Sequence, residues 1–138
     1  MILAQVKDIR EKLAAFFSQR PEIRFAYLFG SLAKGTQNRL SDLDVAVFVD
    51  YRLVKPESCP YGYKASLITE LMQLLQLNEV DVVILNESPP LLRYEVVRYG
   101  VPLYEVNRAE RISFQASTFS RYFDLAPFLK VSQSRPVF

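Results

Sequence analysis

No histidine occurs among the 138 residues of the chain. Its absence excludes Ser-His-Asp and Cys-His catalysis, histidine general bases and histidine-ligated zinc. Any chemistry must rest on carboxylates, hydroxyls, lysine or arginine, and carboxylates favour hard cations such as magnesium. There is a single cysteine, Cys59. It can form no intrachain disulfide, and no imidazole is present to activate its thiol. No apolar run approaches the ~20 residues that a membrane-spanning helix needs. Lys7 and Asp8 place charge where a secretory signal would be apolar. A soluble, cytoplasmic protein is expected. Charge of one sign is also lacking: 17 basic residues face 15 acidic ones, for a net charge of +2. That balance gives no electrostatic footprint for nucleic acid, and no direct nucleic-acid binding is expected.

Half of the residues are hydrophobic and 23% are charged, a globular balance. The length suits one domain over 1–138. Ile2, Val6, Ile9, Leu13 and Phe16 recur at helical spacing. Phe25 to Phe29 is a short apolar run that reads as a buried strand, stopping at Gly30-Ser31. A polar connection leads to a second strand over 42–49. Residues 51–63, with Pro56, Pro60 and Gly62, read as a loop, and Leu67 to Leu75 as a helix. Val80 to Leu85 is rich in β-branched residues and predicts a third strand. Ser88-Pro89-Pro90 predicts a helix start with Ser88 as cap, and Gly100 its end. A short strand over 101–105 follows. Ile112, Ala116, Phe119 and Phe123 predict a last helix that completes the core with Phe119 and Phe123, before a mobile tail over about 125–138. The expected class is α/β (α+β), a small mixed sheet flanked by helices.

Side chains two apart in a strand share a face, so Asp42 and Asp44 point the same way. Leu43, Val45, Val47 and Val49 take the other face. An acid at Asp44, inside an otherwise apolar strand, is costly unless something answers its charge. Asp81 repeats the anomaly one residue into the third strand. If the two strands are neighbours, three carboxylates converge, and a divalent cation reconciles their repulsion. Two magnesium ions would serve an in-line displacement at phosphorus. A strand running into Gly30-Ser31 presents backbone N–H groups to an anion, with the Ser31 hydroxyl as a further donor. Lys34 and Arg39 stand within reach to neutralise the remaining phosphate charge.

Each feature alone has a plainer explanation. Gly30-Ser31 is also a common strand-to-helix turn, and Asp42 a common capping residue. Asp44 and Asp81 would also serve as partners of Arg24 or Arg39. Lys34 and Arg39 suit a solvated loop. Tyr61, Tyr63 and Lys64 border the expected site, where a tyrosine could stack on a base or simply pack on the surface. Gly30-x4-Gly35 is not a P-loop, because Thr36 stands where the lysine belongs.

Gly30-Ser31, ten residues, then Asp42-Leu43-Asp44 resembles the signature of the DNA polymerase β-like nucleotidyltransferase superfamily. The stretch from Phe29 to Gly35, the pair Ser41-Asp42, Leu91 to Glu95, Gly100 to Glu105 and the ending around Tyr122-Phe123-Asp124 resemble its minimal nucleotidyltransferase branch. The likeness covers about the first 125 residues, more loosely after residue 105. It implies the polymerase β-like fold and transfer of AMP from ATP to a tyrosine of a partner HEPN toxin, which makes the chain an antitoxin. It also implies that Asp42 and Asp44 are metal ligands, and that Asp81 is a metal ligand or the base for the incoming hydroxyl. Gly30, Ser31, Lys34, Arg39 and Ser41 would bind the nucleotide. Two other readings stay open: a small-molecule nucleotidyltransferase of the aminoglycoside type, and an antitoxin that acts by contact alone.

Overall fold

The computed structural model describes residues 3–30 and 43–133, with side chains from 7 to 128 within those ranges. Helix α1 spans Leu3–Ser18 and leads into β1 (Ile23–Phe29). Strand β2 is Leu43–Val49. Two single-turn 3₁₀ segments, Tyr51–Leu53 and Pro56–Ser58, punctuate the loop before helix α2 (Tyr63–Leu75). Strand β3 (Val80–Ile84) and a third 3₁₀ turn precede α3 (Pro90–Tyr99), then β4 (Val101–Glu105) and α4 (Arg108–Gln133).

The sheet order is β3-β2-β1-β4. β1 pairs antiparallel with β2 and β4, while β2 and β3 run parallel, so the sheet is mixed. A parallel pair requires a crossover, which α2 supplies. Alternation along the strands divides the core in two. Leu43, Val45, Val47, Val82 and Ile84 face Leu13 and Phe17 of α1 and Leu67 and Leu71 of α2. Phe25, Tyr27 and Ala46 face Val96 and Val97 of α3, with Phe114 and Phe119 of α4 packed against them.

Several expectations need correction. Phe17 is fully buried on α1, whereas Phe16 is only partly so. Ser88 does not cap α3: its hydroxyl donates to the Ile84 carbonyl at 2.8 Å, and Pro89 takes the cap position. The largest difference lies in α4. Its covered face is Arg111, Phe114, Thr118 and Phe119, rotated from the anticipated row. Ile112 is 46% exposed and Phe123 64% exposed. The helix runs on to Gln133 through Pro127. Proline at 127 removes the N–H that would serve the Phe123 carbonyl. Phe123 is exposed, so water can take that role.

Gly100 closes α3 onto the sheet. A Cβ there would meet the Leu28 carbonyl at 3.1 Å and the Val96 carbonyl closer still. The glycine lets the helix end pass directly over β1, and the chain enters β4 without a longer loop.

Candidate active site

The start of β2, the end of β1 and the start of β3 meet at one end of the sheet. Asp44 lies opposite Phe29 in the antiparallel pair and opposite Asp81 in the parallel one. Register partners share a face, so Asp44 and Asp81 stand side by side on the face covered further along by α3 and α4. Leu43 and Val45 point the other way into the core, as the alternation in the sequence requires. Asp44 is half-buried and Asp81 exposed. The pair therefore opens to solvent at the edge of an apolar layer, where an acid can meet a ligand.

Gly30 follows β1 with a φ of +78°, in the left-handed region that glycine tolerates and side chains rarely adopt. A Cβ built on it would stand 3.0 Å from Asp44 Cγ and 3.2 Å from Asp44 Cβ, and closer still to a carboxylate oxygen. Glycine is needed here twice, for the backbone turn and for the space that Asp44 occupies.

Asp42, Ser31, Lys34, Arg39 and Ser41 lie outside the described residues. Of the expected site, the structure brings together Gly30, Asp44 and Asp81. No group of three carboxylates is found among the described residues. The fit to a divalent cation rests on two acids in register and on the glycine cradle beside one of them.

The alternative ion-pair partner Arg24 is removed. Its guanidinium donates to Glu110 at 2.9 and 3.1 Å, at the far end of the sheet. Tyr63 and Lys64 do not border the aspartates either. α2 starts at that same far end, where the Tyr63 hydroxyl donates to buried Glu22 at 2.9 Å. Burial and the Glu22 charge push the Tyr63 phenol well above its ordinary range. Tyr63 is a packing residue, joined edge-on to Tyr51 at 6.1 Å. Tyr61, 91% exposed, touches neither the aspartates nor this network in any recorded contact among the described residues. Sequence spacing did not reveal which end of α2 approaches the site. The parallel β2–β3 pairing decides it, because the helix must return the chain to the β2 start.

The sequence marked Phe29 only as the end of an apolar run, not as part of the site. Phe29 sits across from Asp44 and packs against the core cluster that includes Val96 and Val97, flooring the site on its apolar side. The cue was present in the apolar run ending at Gly30.

A mixed sheet with two acids in register beside a left-handed glycine is the frame of a nucleotidyl-transfer enzyme. Residues 11–109 match the family described as polymerase beta, nucleotidyltransferase, and the chain belongs to it. It is 30% identical over 102 residues to the protein adenylyltransferase MntA of Shewanella oneidensis, a match taking in 74% of this chain and 68% of that one. A solved mutant toxin–antitoxin complex of MntA aligns with a TM-score of 0.72 at 25% identity, over 91% of this chain and 95% of that one. A solved toxin–antitoxin structure with AMP-PNP aligns with a TM-score of 0.70 at 26% identity, with the same coverage. Among the described residues, no helix is long and apolar enough to cross a membrane.

Proposed function

We propose that this chain transfers AMP from ATP to a hydroxyl, most simply a tyrosine, of a HEPN-type toxin partner, and so acts as its antitoxin in the cytoplasm. The observation that carries the reading is the register pairing of Asp44 with Asp81 beside Gly30. The likeness to MntA, a protein adenylyltransferase, supports protein as the acceptor. The likeness to a toxin–antitoxin structure with AMP-PNP supports ATP as the donor.

Asp44 and Asp81, with Asp42, would hold magnesium, which when bound supplies charge neutralisation at the α-phosphate and the departing pyrophosphate. The chain's own residues do the rest. Gly30, Ser31, Lys34, Arg39 and Ser41 would supply the triphosphate contacts. Asp81, which is exposed, is either a further metal ligand or the group that takes the hydroxyl proton on a carboxylate oxygen. The acceptor oxygen forms a bond to the α-phosphorus, the α–β bridging bond breaks, and pyrophosphate carries away the electron pair.

Incubation with α-labelled ATP and magnesium, with and without the toxin, tests this. Label retained on the toxin and lost with Asp44→Asn is expected. Toxin neutralised equally well by wild type and by Asp44→Asn, with no label on it, would refute the transfer reading.

A further inference from the structure

The sheet order leaves β3 and β4 at the edges, each paired with one neighbour only among the described residues. Alternate residues of an edge strand turn their N–H and C=O groups away from the sheet, and such edges are commonly blunted by proline, lysine or a bulge. β4 is blunted, for it carries Pro102 and its register with β1 shifts. β3 is not. Val80-Asp81-Val82-Val83-Ile84 has no proline and no basic residue, and its pairing with β2 runs without a shift. Its one charged side chain is Asp81, which the candidate site already uses.

A cleft of about 240 Å³ lies along the same edge. Val83 and Ile84 line it from the strand, Lys64 from α2 on one face of the sheet, and Pro89 and Leu92 from the start of α3 on the other. Val83 and Leu92 both pack against the core layer beneath α3. Val83 is two residues from Asp81, so the two share a face, ~7 Å apart along the strand. An open backbone edge thus joins an exposed acid to a partly apolar recess.

We propose that this edge docks the acceptor. An extended segment of the protein substrate pairs with β3 as a fifth strand, setting its tyrosine opposite Asp81 and an apolar side chain, two residues away, in the cleft at Val83 and Leu92. The inference rests on the transfer reading above and names its substrate class: a hydroxyl residue and an apolar residue separated by one position in an extended chain. Opposed residues of neighbouring strands hold their Cβ atoms about 5 Å apart on one face, so pairing alone brings the acceptor side chain beside the carboxylate. Main-chain hydrogen bonds supply affinity for any extended sequence, and the cleft supplies the choice among them.

The test follows amide hydrogen exchange along β3 in the full wild-type chain, without nucleotide, as the toxin or a synthetic peptide is added. The peptides hold one tyrosine, with leucine or aspartate two residues from it. Alternate amides of Val80–Ile84 should slow saturably with the toxin and with the leucine peptide. The leucine peptide should bind at least about tenfold more tightly than the aspartate one, the effect of sequestering one large apolar side chain. N-methylation of the peptide backbone should abolish the slowing at one set of alternate residues and leave it intact at the other. No slowing with toxin and peptides alike, no preference for leucine, or equal loss from both N-methyl sets would overturn the docking. Slowing that grows with the chain's own concentration, before any acceptor is added, would assign the edge to a second copy and overturn it too. Labelled transfer is scored apart: slowing without transfer sinks the transfer reading alone, and transfer without slowing sinks the docking alone.

Discussion

Replacing Gly30 by alanine places a methyl group where the Asp44 carboxylate now lies. The new Cβ would be 3.0 Å from Asp44 Cγ, inside ordinary contact, and the backbone would hold alanine at a φ of +78°. The backbone penalty is about 1–2 kcal/mol. Displacing a reacting constellation by ~1 Å adds a rate loss of about a hundredfold. Gly62→Ala separates the two effects. Gly62 also has a positive φ, +98°, but a Cβ there meets nothing within 4 Å. Both variants should lose about 1–3 kcal/mol in urea unfolding. Only Gly30→Ala should lose AMP transfer, by roughly a hundredfold at saturating ATP. Equal activity in the two variants would refute the argument that Gly30 makes room for the carboxylate.

Asp81→Asn should abolish labelled transfer while thermal unfolding stays unchanged, because the side chain is exposed; a fall in stability instead would mark a structural role. Tyr63→Phe should cost about 1–2 kcal/mol of stability by removing the donor to buried Glu22. It should leave the KM for ATP unchanged, as the tyrosine lies at the opposite end of the sheet. Phe17→Ala should cost about 3–5 kcal/mol in denaturant unfolding, since the ring is fully buried. Glu105 is held below its ordinary carboxylate range of 4.5 by Arg111. A depressed acid stabilises the fold fully above its unfolded value and loses that contribution as pH falls through the folded one. Stability should therefore drop below about pH 4.5, and Glu105→Gln should flatten that part of the profile in pH-dependent unfolding.

The strands were readable because period-two alternation is local: Leu43, Val45 and Val47 mark one face, and Asp44 is conspicuous on the other. The juxtaposition of Asp44 and Asp81 was conditional on strand neighbourhood, which no local pattern states. The α4 face was misread for a physical reason. Ile112, Ala116, Phe119 and Phe123 form a regular apolar row, yet only Phe119 of the four packs against the core, alongside Arg111, Phe114 and Thr118. Arg111 is buried because it meets Glu105 and Gln115, and that pairing is invisible without the fold. Tyr63 was misplaced because a helix spacing tells which face is apolar but not which end points to a site. The part of the site that lies in residues 31–42 is readable only as motif.

The parallel pairing of β2 with β3 also bears on how the protein matures. Asp44 and Asp81 are separated in the chain by two turns and the whole of α2. They become neighbours only when that crossover has been laid down and β3 has docked. A nascent or partly unfolded chain can present Asp44 with Gly30, but not the opposing acid. Any metal or nucleotide binding that needs both aspartates is therefore withheld until the long-range strand pairing exists. A ligand that needs both aspartates would then draw the folding equilibrium toward the finished sheet by mass action.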